Sequence, residues 1–344
     1  MTPPTDLEQW LTSHPPAVAD VVRHVARACV QVSRLVERGT LGSATDEAGA
    51  ASRVGLADRG FARALADCPE VAGWVSEIQD EVHVSSEFGS TAAYLVAYDA
   101  LDRIANDDAS TAAGSVFSVL PHLFRGTPAS AAAFMQPGRR QVAAGYAIYG
   151  PTTQLVLSLG EGVQVFTLDP DRRSEAGRWI LTGEAVRVPK TSAEFAIDAS
   201  NQRFWEKPVQ RYVAECVAGQ GGPRGRDFGM HWLGSLVGEM HRVLTRGGVY
   251  LQPRDSKEPY RPGHLCLLHE AAPLAWLMER AGAAASNGTT AIVDLVPDAL
   301  HQKVPLILGS RDEVERIVGY HADPSENVSW QLFKTRSLFI QPNV

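Results

Sequence analysis

Asp99 and Asp102 close the run Y-L-V-A-Y-D-A-L-D at residues 94 to 102, two carboxylates three apart at the end of a short apolar stretch. Tyr94 to Tyr98 is too short for a globular helix and is aromatic and β-branched enough for a buried strand. The two acids then fall where the strand ends and the chain turns, the place where open α/β sheets bind ligands. Acid groups this close repel unless a proton or cation lies between them. Hard oxygen donors suit Mg²⁺ or Mn²⁺. Asp pairs at this spacing also occur in ordinary solvated loops, so the metal reading needs further ligands. A second apolar run, Leu265 to Leu268, ends near another acid, Glu270, just before a helix from Pro273 to Ala281.

Composition narrows the chemistry. The chain has 344 residues, 44% of them hydrophobic and 21% charged, enough for a large core and two lobes of a soluble globular protein. A net charge of -7 argues against general nucleic-acid binding, which wants a basic face. No apolar run reaches membrane-span length, and the N-terminus lacks the basic and apolar regions of a signal peptide, so a cytoplasmic location is expected. Cys29, Cys68, Cys216 and Cys266 show no short pairing motif and read as buried thiols.

The elements that must hold these acids are legible in outline. Val22, Val25, Cys29, Val32 and Val36 recur at helical spacing, and Gly39 follows as a stop signal. Residues 40 to 60 read as loop leading into a helix near Phe61 to Leu65. Gly114 to Leu120 reads as a strand. Leu155 to Leu159 and Val163 to Leu168 flank Gly160-Glu161-Gly162 as a hairpin. Leu233, Leu236, Val237, Met240 and Leu244 form a helical stripe ending at Gly247-Gly248, with strands expected at Val249 to Leu251 and Leu306 to Leu308. Hairpins mixed with strand–helix units point to an α/β (α+β) protein of layered sheets and helices.

From about Gln141 to Ser310 the chain resembles the class 1 fructose-1,6-bisphosphatase family. The segments that carry the resemblance are A-G-Y-A-I-Y-G-P-T-T (144 to 153), G-V-Q-V-F-T-L-D-P (162 to 170), L-G-S-L-V-G-E-M-H-R-V-L-T-R-G-G-V-Y-L (233 to 251), L-L-H-E-A-A-P-L-A-W-L-M-E-R-A-G (267 to 282) and D-L-V-P-D-A-L-H-Q-K-V-P-L-I-L-G-S (294 to 310). The resemblance implies a five-layered sugar-phosphatase fold of mixed sheets and helices. It implies an N-terminal lobe, residues 1 to 185, with the metal-site loops, and a C-terminal lobe, 186 to 344, with the sugar-phosphate recognition region. It also implies Mg²⁺-dependent removal of the 1-phosphate from fructose 1,6-bisphosphate, as in gluconeogenesis or the Calvin cycle, by a homotetramer.

Carried over position by position, the family's S-E-E motif falls on Ser86-Glu87-Phe88, its D-P-L-D on Asp99-Ala100-Leu101-Asp102, and its Y-E on His269-Glu270. The implied metal ligands are Glu87, Asp99, the Leu101 carbonyl, Asp102 and Glu270, with Glu87, Asp99 and Asp102 catalytic. Such a cluster neutralises phosphate oxygens, activates a water and stabilises the leaving alkoxide. Departures gather in the same region. The family's G-S-S-N, whose small residues close backbone N–H groups around phosphate, falls on Arg103-Ile104-Ala105-Asn106, and only Asn106 is kept. Arg103 can bind phosphate through its guanidinium or stand as a solvated loop residue. The water-activating Asp of K-K-L-D falls on Val54, or on Asp58 after a shift of four residues. In the recognition region Asp198 and Asn201 cover the family's N-E-G-Y/N, His231 replaces an Arg, Gln252 a Tyr and His264 a Lys. The motif for the family's allosteric AMP site is thin, with Ala93 in place of a Lys beside Tyr94. Each lost charge-assisted phosphate contact costs roughly 1.5–3 kcal/mol. Two readings result: a sugar-phosphate phosphatase of weakened or altered activity, or a non-catalytic interaction or regulatory protein that keeps the fold and assembles with itself or a relative.

Overall fold

The computed structural model of the chain describes residues 5–39, 53–85, 92–102, 112–171, 177–257, 260 and 262–323. Two β-sheets and three helical layers alternate through it. The larger sheet contains β1 (Val71–Ser76), β2 (His83–Val84), β3 (Tyr94–Asp99), β4 (Ala113–Pro121), β5 (Ala143–Tyr149), β6 (Thr153–Ser158), β7 (Gln164–Leu168) and β8 (Trp179–Gly183), in the order β2-β1-β3-β4-β5-β6-β7-β8. All neighbours are antiparallel except β1 and β3, which run parallel with Ser76 opposite Tyr98. The smaller sheet is built from β9 (Glu194–Ala196), β10 (Gly229–His231), β11 (Val249–Gln252), β13 (Ala284–Ser286) and β15 (Leu306–Gly309), in the order β10-β9-β11-β15-β13. A separate two-stranded pair joins β12 (Leu265–Cys266) to β14 (Lys303–Val304) and sets Cys266 opposite Lys303.

Helices α1 (Leu7–Leu11), α2 (Pro16–Glu37) and α3 (Arg53–Ala66) contribute one apolar core, with α2 and α3 against the larger sheet. The short α4 (Ala131–Phe134) covers the end of that sheet nearest β1 and β3. α5 (Lys207–Val217) and α8 (Arg311–Ala322) cover the outer face of the smaller sheet. Between the sheets lie α6 (Leu236–Arg246) and α7 (Ala272–Arg280), whose Val237, Met240, Leu274 and Leu277 meet Tyr146 and Val156 on one side and Tyr250 and Leu308 on the other. The result is a helix–sheet–helix–sheet–helix stack, as expected. α7 is apolar on all sides because it is buried between two sheets.

Local chemistry explains the boundaries. Ser235 caps α6 by accepting from the Gly238 N–H at 3.1 Å, and Gly247, at φ +75°, ends it. Three sequence expectations change. Leu233 lies outside α6, exposed, with its N–H donating to Glu239 Oε1 at 2.6 Å. Helix α3 begins at Arg53 rather than near Phe61: Ala57, Asp58, Phe61, Ala64 and Leu65 form its buried face, and Gly55 and Gly60 on the other positions obscure the helical period. The run Leu265 to Leu268 is a strand only through Cys266. From Leu267 to Ala271 the chain makes a π-helical turn, with the Ala272 N–H donating to the Leu267 carbonyl. Pro273 has no N–H to offer the His269 carbonyl, which removes the ordinary helical bond at this point.

The centre of the larger sheet is closely packed. At Gly145 on β5 an added Cβ would strike the Val156 carbonyl oxygen and lie 2.8 Å from the Leu157 Cβ. Gly145→Ala should therefore lower folding stability by about 1–3 kcal/mol. Urea unfolding followed by circular dichroism checks this, and a variant as stable as wild type would show that the strand pair can spread.

Candidate active site and metal centre

β1 and β3 run parallel, so both end at one edge of the sheet, and the acids after each end arrive side by side. Asp99 is the last residue of β3, and Glu77 directly follows β1, its N–H donating to the Tyr98 carbonyl at 3.0 Å. The Leu101 N–H donates to Asp99 Oδ1 at 3.1 Å, a tight turn that brings Asp102 back toward Asp99. Asp102 Oδ2 accepts from the Ser235 hydroxyl and the Val237 N–H, both at 3.3 Å, so this carboxylate sits on the positive end of α6. From the opposite side the π-turn delivers Glu270, which accepts the Cys266 N–H. Carboxylate oxygens of Asp99, Asp102 and Glu270 all lie within 4.8 Å of one another.

These residues line a pocket of about 400 Å³ that also contains Glu77, Glu239, Trp232, Tyr250, Gln252, His264 and Lys303. Its described charges are five carboxylates against one ammonium. Lys303 Nζ lies 3.4 Å from Glu77 and 4.0 Å from Glu270. Burial penalises that ammonium, but Cys266, Glu270 and Glu77 around it outweigh the penalty and hold its pKa above the ordinary value. The acids are pushed the other way. Burial, then Glu270, Asp102 and Glu77, raise Asp99 well above the usual carboxylate range. Burial raises Asp102 against the opposing N–H groups of Val237 and Leu236. Burial raises Glu270 to about 7, although the Cys266 N–H and Lys303 oppose it. Three buried acids that favour a bound proton equally favour a bound cation. Their all-oxygen donor set fits Mg²⁺ or Mn²⁺.

The expected residues are distributed unevenly. Asp99, Asp102 and Glu270 converge, and Leu101 forms the turn between the first two. Glu87, Phe88, Arg103, Ile104, Ala105 and Asn106 lie outside the described residues. Among the described residues Glu77 also lines the pocket; it is placed there because β1 runs parallel to β3, a pairing that nothing local in the sequence shows. Lys303 was also missed, because its strand is only two residues long. His264 lines the pocket and its Nε2 lies 3.0 Å from Asp255. His231, on edge strand β10, is not among the lining residues, whereas the adjacent Trp232 is, its ring parallel to Tyr250 at 6.1 Å.

Asp198 and Asn201 are not in the lining either. Asp198 caps a short 3₁₀ turn, accepting from the Ser200 N–H at 3.0 Å and from Asn201 Nδ2 at 2.8 Å, which commits both side chains to the turn. Neither candidate for the water-activating position lines this pocket. Val54 packs against the α2–α3 core, and Asp58 is buried behind β1, accepting from Ser76, Gln79 and, at 3.1 Å, the Tyr98 hydroxyl.

Layered sheets with an acidic cluster at parallel strand ends, facing a helix N-terminus, define a layered α/β protein with a candidate divalent-cation centre. Comparison with known proteins makes this specific: the chain belongs to the class 1 fructose-1,6-bisphosphatase family. Residues 6–184 match the family model for the fructose-1,6-bisphosphatase N-terminal domain, and residues 188–322 match that for the C-terminal domain. A relative from Methylibium petroleiphilum, fructose-1,6-bisphosphatase class 1 1, is 67% identical over 98% of this chain and 99% of its own length. The class 1 enzyme of Hydrogenophilus thermoluteolus is 44% identical over 93% and 90%. Among solved structures, Leishmania major fructose-1,6-bisphosphatase in holo form is similar with a TM-score of 0.84 at 27% identity, covering 93% of this chain and 99% of that one. Its apo form gives 0.82 at 28%, covering 93% and 100%. Among the described residues no helix is long and apolar enough to cross a membrane.

The electrostatics give a signed pH dependence. Glu270 has a folded pKa above its unfolded value, so the folded state holds more protons between roughly pH 4.5 and 7, and its contribution to stability falls as pH rises through that window. Glu270→Gln removes this loss. In the presence of a chelator the variant should gain on wild type by on the order of 1–3 kcal/mol between about pH 5 and pH 8. Thermal unfolding at both pH values tests this. A stability difference that does not change with pH would mean that burial does not hold the Glu270 carboxyl above its ordinary range.

Proposed function

We propose that this protein is a metal-dependent sugar-phosphate phosphatase that removes the 1-phosphate of fructose 1,6-bisphosphate or a close analogue, with activity below that of its relatives. The observation that carries this reading is the convergence of Asp99, Asp102 and Glu270 in a pocket whose acids outnumber its cations. An anionic substrate is repelled by such a pocket unless cations accompany it. Asp99, Asp102 and Glu270, with the Leu101 carbonyl, would hold Mg²⁺ or Mn²⁺, which supplies charge neutralisation for the phosphoryl oxygens and Lewis acidity toward water.

The chain's own groups do the rest. Lys303 is held between Glu77 and Glu270, where its ammonium can donate to a phosphoryl oxygen. Asp102 occupies the N-terminus of α6, so that dipole fixes a ligand and is not left for phosphate. His264, steadied by Asp255, and Gln252 offer polar contacts at the rim, with Trp232 as an apolar wall. Glu87 and the loop residues Arg103 and Asn106 belong to this reading through the family resemblance, as do a division into lobes near residue 185 and a homo-oligomer, a tetramer. The weaker activity is supported by His264 in place of a Lys, by Asp198 and Asn201 bonded to each other, and by the sequence Arg103-Ile104-Ala105 where phosphate-binding N–H groups are expected. These same features favour the second reading, a non-catalytic protein of the same fold.

Phosphate release from fructose 1,6-bisphosphate with Mg²⁺ should proceed with a kcat/KM below roughly 10⁴ M⁻¹s⁻¹. Asp99→Asn should reduce it by at least about 100-fold. A wild-type value above that limit would sink the claim of weakened activity. Mg²⁺-dependent thermal stabilisation without phosphate release from any of a panel of sugar mono- and bisphosphates would leave the non-catalytic reading in its place.

A further inference from the structure

Beside the carboxylate cluster lies a group of different donors. We infer that Cys266, His269 and His301 form a second metal site, suited to a zinc-like divalent ion and independent of whether the carboxylates are catalytic. One sulfur and two ring nitrogens lie within 4.8 Å of one another. Tetrahedral bonds of about 2.3 Å to sulfur and 2.1 Å to nitrogen place ligand atoms about 3.5 Å apart. Cys266 Sγ and His301 Nδ1 are already 3.9 Å apart. The two imidazoles stack at 5.2 Å with 19° between their planes, so one ring must turn for both lone pairs to meet a single ion.

Two observations mark the group as a ligand set. His269 is fully buried, and among the described residues neither of its ring nitrogens has a hydrogen-bond partner. A sealed imidazole with two unpaired nitrogens is costly, and a metal bond satisfies one of them. His301 is oriented from behind. Its Nε2 lies 3.0 Å from the Gln79 carbonyl oxygen, which can only accept, so that nitrogen carries the proton. The lone pair is then on Nδ1, the atom facing Cys266. Metal-binding histidines are fixed in this way by a carbonyl or carboxylate behind the ring.

The chemistry separates the two sites. Thiolate and imidazole select zinc-like ions, whereas the oxygen cluster selects magnesium-like ones. Binding replaces the Cys266 thiol proton by the metal and releases that proton to solvent. Lys303, opposite Cys266 in the β12–β14 pair, hydrogen-bonds the Cys266 sulfur and so favours the thiolate that a metal requires. Three protein ligands leave a fourth position for water or an incoming group.

Co²⁺, the spectroscopic stand-in for zinc, tests the assignment on the full chain kept in excess Mg²⁺. A thiolate-to-cobalt charge-transfer band should grow to one equivalent, with one proton released per Co²⁺ bound, and vanish without further proton release on adding Zn²⁺. Cys266→Ser should lose the band while keeping its Mg²⁺-dependent thermal stabilisation. His301→Ala, at a ring only partly buried, should weaken Co²⁺ binding at least tenfold. No band in wild type overturns the proposal. A band that persists in Cys266→Ser also overturns it, by placing the metal on Cys68 or another thiol. Should Cys266→Ser not fold, unchanged Co²⁺ affinity in His301→Ala overturns it alone.

Discussion

Mutual repulsion among buried carboxylates is the constraint around which this molecule is arranged. Glu77, Asp99, Asp102 and Glu270 cannot all carry charge in a low-dielectric pocket without compensation. The fold supplies some of it as fixed partial charges: the capped start of α6 for Asp102 and the Cys266 N–H for Glu270. Lys303 supplies one full charge. What remains uncompensated is an appetite for cations. A pocket left in that condition is less stable than the same shape lined with apolar residues, and stability surrendered at one place commonly marks function there.

The geometry traces to a single topological choice. One parallel pair, β1 and β3, is set into a sheet whose other neighbours are antiparallel. An antiparallel partner would have carried Glu77 to the far edge, away from Asp99. The second sheet and the intervening helices then close the pocket from the other side, and α6 and the π-turn before α7 each contribute a terminus rather than a side face. Termini expose backbone donors that side faces have already used. That is why a stack of five layers can serve a handful of acids at one edge.

Asp99, Asp102 and Glu270 were legible in the sequence because each follows an apolar run, and acids at strand ends stand out against the pattern around them. Glu77 was not, since Ser-Glu occurs at both 76–77 and 86–87 and nothing local says which strand lies beside β3. Pairing between strands is a long-range fact. Lys303 was hidden in a strand too short to show alternation. Helix α3 was under-read because Gly55 and Gly60 dilute its period. Asp198 and Asn201 show the opposite failure: residue types that bind ligands are also those that cap turns, and sequence cannot say which partner wins. The layered fold was recoverable because core periodicity and the family segments both survive in the C-terminal half.

The widened turn at residues 267–271 has a consequence for how this protein can change. A π-turn holds one residue more than the α-helical turn it interrupts. Upstream of that extra residue, Glu270 answers to the pocket and His269 to the neighbouring group of Cys266 and His301; downstream, Leu274, Trp276 and Leu277 answer to the core. The turn thus acts as a phase shifter between two requirements that a continuous helix, advancing about 100° per residue, would lock together. Deleting a single residue here would leave the core face of α7 in place while swinging the ligand-bearing side chains away. A change of chemistry in this molecule therefore needs no new fold, only a one-residue slip in a turn that already tolerates it.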